Sequence, residues 1–369
     1  MSLRASQVTA VLVVGIIGVL IPGLQPQLLG ALALEGKLSA AALGGLATVE
    51  LLAMGIAAGA AGFVLPAGRL RAIAAIALLA TGAVDLATPH VSGSAMFALR
   101  VAAGLGEGVL IWIAIGFIVR TTRPDRWSGI YLALQTLAQF ALASVIGLYA
   151  AGSLGGFTAL GVVTVAGAAV VPWMPDGYAT TVSEGASQMP PRRGLIALLG
   201  VLLYLAFIVA LWVYVEPLAL QRGVPIAQVH LIAPLSLAMQ VLGAGSATLL
   251  AGRLPARATL VAVGLINLAL LVAMVAGPPS LFIAASAAFG FLWLFALPFQ
   301  VPLVIAADPG RRAALLIGGA QLVGSSLGPL LASGLVDDGN VAPVAWFGAA
   351  CLGVGVAALL GAGSTRAAR

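Results

Sequence analysis

The chain has 369 residues, of which 62% are hydrophobic and 8% charged, and its mean hydropathy is +1.14. A water-soluble domain carries roughly 25% charged residues, so this composition excludes a soluble globular fold and selects the bilayer as the solvent. The net charge of +6 comes from basic residues placed singly or in pairs between apolar runs, without the basic stripe or motif that nucleic-acid binding needs, so no nucleic-acid partner is expected.

A membrane-crossing helix needs about 20 mostly apolar residues. Divided at its charges and at Pro, Gly and Asp punctuation, the sequence contains twelve such windows: 7–33, 40–66, 71–88, 93–119, 127–150, 155–174, 194–218, 226–250, 257–277, 280–306, 312–335 and 341–363. The first follows Arg4 and is too long for a signal h-region. The stretch "IPGLQPQLLG" stands where a cleavage motif would be, so this window is expected to be a retained helix, broken at Pro22 and Pro26. The single cysteine, Cys351, lies in the last window, which excludes an intrachain disulfide framework and a cysteine metal cluster.

Twelve windows make the loops alternate between the two sides, and the charges test that count. Arg4, Arg69, Arg71, Arg120, Arg123, Arg126, Arg192, Arg193, Arg253, Arg257, Arg311, Arg312, Arg366 and Arg369 fall on the side of the N-terminus. The opposite side holds only Lys37 and Arg222, together with the acids Glu35, Asp85, Asp337 and Asp338. Positive residues mark cytoplasmic loops, so a multi-pass protein of the inner membrane is expected, with both termini in the cytoplasm. Trp127, Trp173 and Tyr214 near span ends suit interfacial anchoring.

The polar segment "PDGYATTVSEGASQMPPRRG" divides the spans six and six: an N-terminal bundle over 1–174, a central loop over 175–193 and a C-terminal bundle over 194–369. The halves echo each other. "AGFVLPAGR" after the second span is answered by "AGRLPAR" after the eighth. "RPDRWSGIYLALQ" is answered by "DPGRRAALLIGGAQ" at an offset of 186, which sets Arg126 on Arg312 and Gln135 on Gln321. Such duplications build transporter sites at the interface of two repeats.

With this architecture, "RVAAGLGEG" (100–108) resembles the fourth-helix signature of the major facilitator superfamily, an arginine followed by Gly-x-Gly. "GSSLGPLLASG" (324–334) is similar to that family's Gly-Pro motif, although it lies in the eleventh span and not the fifth. The loop after the second span keeps Gly62, Gly68, Arg69 and Arg71 but lacks the usual aspartate. The resemblance covers essentially the whole chain. It implies an all-α membrane protein with twelve transmembrane helices in two six-helix bundles related by pseudo-twofold symmetry. It also implies a cavity lined by the first, fourth, seventh and tenth spans, and proton transfer involving Arg100.

Charge inside a span is expensive, at least ~3 kcal/mol on insertion scales. Well inside the spans lie Glu50, Arg100 and Glu107. Arg100 and Glu107 are seven residues apart and share a helix face. One arginine neutralises one carboxylate and leaves a second desolvated and able to carry a proton, so these three residues are the expected proton-coupling group. Arg100 and Glu107 are its centre, with Glu50 assisting. Glu107 is the favoured carboxylate, because Gly104, Gly106 and Gly108 leave space and allow close helix approach around it, packing at a helix interface being the alternative role of those glycines. The competing reading is a static Arg–Glu pair. Gln25 (with Gln27), Gln135, Gln139, Tyr204, Gln240, Trp293, Gln300 and Gln321 are the expected substrate-lining residues, each with an interhelical hydrogen bond as its alternative. Aromatics concentrate in the tenth span (Phe289, Phe291, Trp293, Phe295, Phe299) and in the seventh (Tyr204, Phe207, Trp212). Glu216 and His230 flank the short outer loop "PLALQRGVP" and are expected to be solvated loop ends, with an external gate or proton entry as the alternative.

No Gly-Lys-Ser/Thr nucleotide loop, catalytic triad or metal-ligand spacing is present in the sequence, so an enzyme, a cofactor and a metal are not expected. The expected activity is secondary transport of a small, moderately hydrophobic organic molecule, proton-coupled and directed outward. The expected partners are membrane lipid, that substrate and protons, with the protein a monomer. Two alternatives stand beside it: proton-coupled uptake of a small organic acid anchored by Arg100, and a transport-dead sensor or assembly partner on the same fold.

Overall fold

The computed structural model describes residues 4–66, 68–118, 120–121, 124–178, 189–250, 253–310 and 312–362. Arg123, Arg311, Arg366 and Arg369 of the charge series lie outside the described residues, as do 179–188 of the central loop. The described chain is helical: α1 (Ala5–Ile17), α2 (Leu20–Leu34), α3 (Ala40–Val64), α4 (Leu70–Ala87), α5 (Ser94–Ile118), α6 (Pro124–Tyr149), α7 (Ser153–Ala166), α8 (Arg192–Gln221), α9 (Ile226–Leu250), α10 (Ala256–Ala276), α11 (Pro279–Ala307), α12 (Arg312–Leu315), α13 (Ile317–Ser333) and α14 (Pro343–Ala362). Short 3₁₀ turns extend α4 to His90 and α7 to Trp173.

Eleven of the described helical stretches are long and apolar enough to cross a membrane. The eleventh window instead contains α12 and the 17-residue α13, interrupted at Leu316 just before the Gly318–Gly319 pair. The first window is a 30-residue stretch, and its interruption falls at Gly18–Val19 rather than at the prolines. The cause is still Pro22: its ring excludes the carbonyl four residues back, which belongs to Gly18. Pro26 sits inside α2 without ending it. The Gln139 amide donates to the Val19 carbonyl at 2.5 Å beside this break.

By their contacts the helices form two compact units, Met1–Leu38 with Val49–Glu184 and Ser39–Thr48 with Gly185–Arg369. The start of α3 therefore packs with the second unit. A stripe of residues four apart ties it there: the Ala40 amide donates to Asp338 (2.6 Å), the Gly44 amide to the Tyr214 hydroxyl (3.0 Å), and the Thr48 hydroxyl to the Ser326 carbonyl (2.7 Å). Tyr214 is thus fully buried and hydrogen-bonded, not an interfacial anchor. Trp173 is exposed, as an anchor would be.

In each unit, glycine permits close helix pairings. In the first unit, Gly104 and Gly108 of α5 abut the carbonyls of Glu50 and Met54 on α3, and Gly82 of α4 faces Gly161 of α7. In the second unit, Gly290 of α11 abuts the Ser236 carbonyl of α9, and Gly243 of α9 abuts the Phe291 carbonyl of α11. The Gly-Pro motif has a similar packing role, with Gly324 and Gly328 of α13 against the carbonyls of Leu202 and Ala206 on α8. Spacings of four place both glycines on one face, so two helix backbones can approach over a full turn.

Candidate functional site

The charges inside the first unit converge on Arg100. Its Nη2 donates to Asp85 Oδ1 at 2.7 Å and lies 3.2 Å from Glu50 Oε1. The guanidinium also covers the Phe157 ring, 5.2 Å from its centroid. All three charged residues are fully buried. Three helices supply them, Glu50 from α3, Asp85 from α4 and Arg100 from α5, and the glycine contacts of α5 bring these backbones close enough for short side chains to meet.

This arrangement corrects the sequence expectation. Arg100 pairs with Glu50 and Asp85, and no ion pair joins it to Glu107. Asp85, placed by sequence with the acids of one loop side, is inside the bundle. The available signal was the stripe Thr81, Asp85, Thr88 at helical spacing, since these three polar residues share one face of an otherwise apolar segment. Glu107 lies on α5 two turns from Arg100, buried, with Oε2 lacking a hydrogen-bond partner. Neither oxygen of Glu50, nor Asp85 Oδ2, nor Arg100 Nε and Nη1 makes a hydrogen bond. Gly106 meets the Thr81 side chain, so the three glycines around Glu107 are filled by neighbouring helices and do not open space beside it.

The expected substrate-lining residues fall in both units. In the first, Gln25 is fully buried with neither amide atom hydrogen-bonded, while Gln27 donates to the Ala143 carbonyl at 3.1 Å. Gln139 serves the α1–α2 break, and Gln135 is half-buried on α6. In the second unit, Tyr204, Gln240 and Gln300 are buried, and the Tyr204 hydroxyl, Gln240 Nε2 and both Gln300 amide atoms have no hydrogen-bond partner. Gln321 is half-buried. Buried polar groups are normally paired; these atoms are enclosed and have no hydrogen-bond partner among the described residues.

Trp293 belongs to an aromatic lattice joining α8 and α11. Ring centroids run Tyr204–Phe207 6.0 Å, Phe207–Phe289 5.8 Å, Phe289–Trp293 6.3 Å and Trp293–Trp212 5.7 Å, mostly edge to face. Phe291, Phe295 and Phe299, spaced four apart, form a second stripe on α11. Glu216 departs from expectation. It is only 1% exposed within α8, not a solvated loop end.

Outside the spans, Lys37 bridges three elements. Its ammonium donates to the Pro89 carbonyl and the Ser153 hydroxyl, each at 3.0 Å, and pairs with Glu35 at 2.8 Å. Glu35 in turn accepts from the Ser153 amide at 2.7 Å and from its hydroxyl, satisfying the first turn of α7. Burial opposes ionisation of Glu35, but the hydrogen bonds from Lys37 and Ser153 outweigh it and hold the carboxyl below its ordinary range.

Solved structures of similar fold span nearly the whole chain. A mutant form of the nucleoside transporter NupG superposes with a TM-score of 0.73 at 12% identity, covering 97% of this chain and 100% of that one. A bacterial homologue of the human lysosomal transporter Spinster matches in its inward-facing unoccupied form with a TM-score of 0.63 at 14% identity, over 97% of this chain and 95% of that one. Its inward-facing occupied form gives 0.59 at 16% identity, over 96% and 92%. No protein-family profile and no curated protein sequence matches the chain.

Proposed function

We propose, from the premise that this chain has the major facilitator fold, that it is a secondary active transporter working by alternating access. It moves a small, moderately hydrophobic organic molecule outward across the inner membrane, coupled to protons. The fourteen-to-two bias of basic residues supports cytoplasmic termini. The bundles over 1–174 and 194–369, joined by 175–193, are the halves that would rock.

One observation carries the proton-coupled reading. A single buried guanidinium faces two carboxylates, Glu50 and Asp85, and Glu107 lies buried on the same helix with no ion pair of its own among the described residues. Uncompensated charge is costly in this environment. A proton is the smallest mobile cation that can relieve the excess, and a group that takes it in one conformation and releases it in the other couples proton flow to transport. Apolar helices with scattered amides and an aromatic lattice suit a hydrophobic substrate with few charges. The organic-acid alternative needs a free arginine fork. Arg100 is wholly buried, and its Nη2 already faces two carboxylates.

Reconstituted liposomes with an internal pH dye test this reading, with lipophilic amines and aromatic compounds added in turn. A transported compound should drive proton flux in the wild type and not in Glu107→Gln. Transport without proton flux in the wild type would refute the coupling.

A further inference from the structure

Among the described residues, Arg100 of the first unit meets the buried acids Glu50 and Asp85, whereas the buried Glu216 of the second unit has no ion pair. Glu216 is 1% exposed in α8, its Oε1 has no hydrogen-bond partner, and no ion pair joins it to a described cation. A lone carboxylate in such surroundings is retained at a cost unless something positive comes to it. Its neighbours three and four residues away on α8 are Trp212, Val213, Ala219 and Leu220, so a single aromatic adjoins it on that helix. Trp212 precedes Glu216 by one helical turn on the same face and meets Trp293 of α11 at 5.7 Å, from which the lattice continues through Phe289 and Phe207 to Tyr204.

We propose that Glu216 and the Trp212–Trp293 lattice form a binding site for a hydrophobic organic cation. The proposal rests on the transporter reading and names the substrate class for it. The carboxylate neutralises the charge, and the ring faces attract it by cation–π interaction while burying the apolar substituents. An inorganic cation would require several oxygen ligands around it, whereas the lining named here is aromatic with one carboxylate. An organic anion would be repelled by Glu216.

The test is equilibrium binding of tetraphenylphosphonium to the full chain in detergent, with neutral triphenylphosphine oxide as the uncharged counterpart. The wild type should bind the cation saturably and more tightly than the neutral compound. Glu216→Gln should weaken cation binding at least tenfold and leave the neutral compound unchanged, while Glu216→Asp should retain part of the preference. Equal cation affinity in wild type and Glu216→Gln, or no cation binding by the wild type, would overturn the site. Binding in micelles needs no proton gradient, so the two readings fail separately. Indifference to Glu216 removes this site and leaves proton coupling standing. Glu216-dependent binding without proton flux in liposomes does the reverse.

Discussion

Replacing Arg100 with methionine removes the only described cation from a cluster of acids while keeping an unbranched side chain that can still lie on the Phe157 ring. The change is therefore one of charge more than of volume. At 2.7 Å from Asp85 and 3.2 Å from Glu50, each gross attraction is about 5–6 kcal/mol at an effective dielectric of 20. Desolvation of the fully buried guanidinium offsets much of that. Breaking a buried pair by removing one partner costs about 3–5 kcal/mol, because the other charge is left uncompensated. Arg100 serves two carboxylates, so Arg100→Met belongs at the upper end of that range. Replacing all three charged partners together, as Glu50→Gln/Asp85→Asn/Arg100→Met, should recover most of the loss, since removing a whole buried ion group is often neutral or better. Unfolding of the micelle-bound protein by increasing SDS, followed by far-ultraviolet circular dichroism, measures both variants. A loss below about 1 kcal/mol for Arg100→Met would mean that the acids do not depend on it for compensation. A triple variant as unstable as the single one would equally refute the argument.

Two further substitutions probe packing and the Lys37 bridge. Gly104→Ala pushes a methyl group into the Glu50 carbonyl on a neighbouring backbone and should cost about 1–3 kcal/mol, whereas Gly59→Ala on α3 meets open space and should be neutral or slightly stabilising. Equal effects in the same unfolding assay would refute the close α3–α5 contact. Glu35→Gln tests a pH dependence. The folded carboxyl lies below its ordinary value of 4.5, so its contribution is complete above that pH and is lost as the pH falls through the folded value. With the side chain 34% exposed, the wild type should exceed the glutamine variant by no more than about 1 kcal/mol near neutrality. Thermal unfolding from pH 7 to pH 3 should show the difference closing, and a difference that persists at acid pH counts against the bridge.

Much of the fold was legible because a membrane span is a local property. About 20 apolar residues between polar ends specify a helix that satisfies its own backbone, and the eighth window, 226–250, coincides with α9. The first window's break was legible as a proline effect but displaced, because proline disturbs the turn before it and not its own position. The α3 junction was not legible. Nothing local in "SAAALGGLATVE" says that its first turns bond to Asp338, Tyr214 and Ser326, which lie 298, 170 and 278 residues further along the chain.

For the site, the sequence by itself determined that Glu50, Arg100 and Glu107 are charges within spans, since hydropathy alone puts them there. Only the tertiary structure decided which of them meet. Seven residues along one helix set Arg100 and Glu107 about 10 Å apart in rise, while helices packed through glycine bring Asp85 to 2.7 Å and Glu50 to 3.2 Å. Asp85 and Glu216 looked like loop-end acids because distance from a span boundary is all a sequence measures. Their burial depends on the direction each helix face points, and that direction is set by the neighbours it packs against.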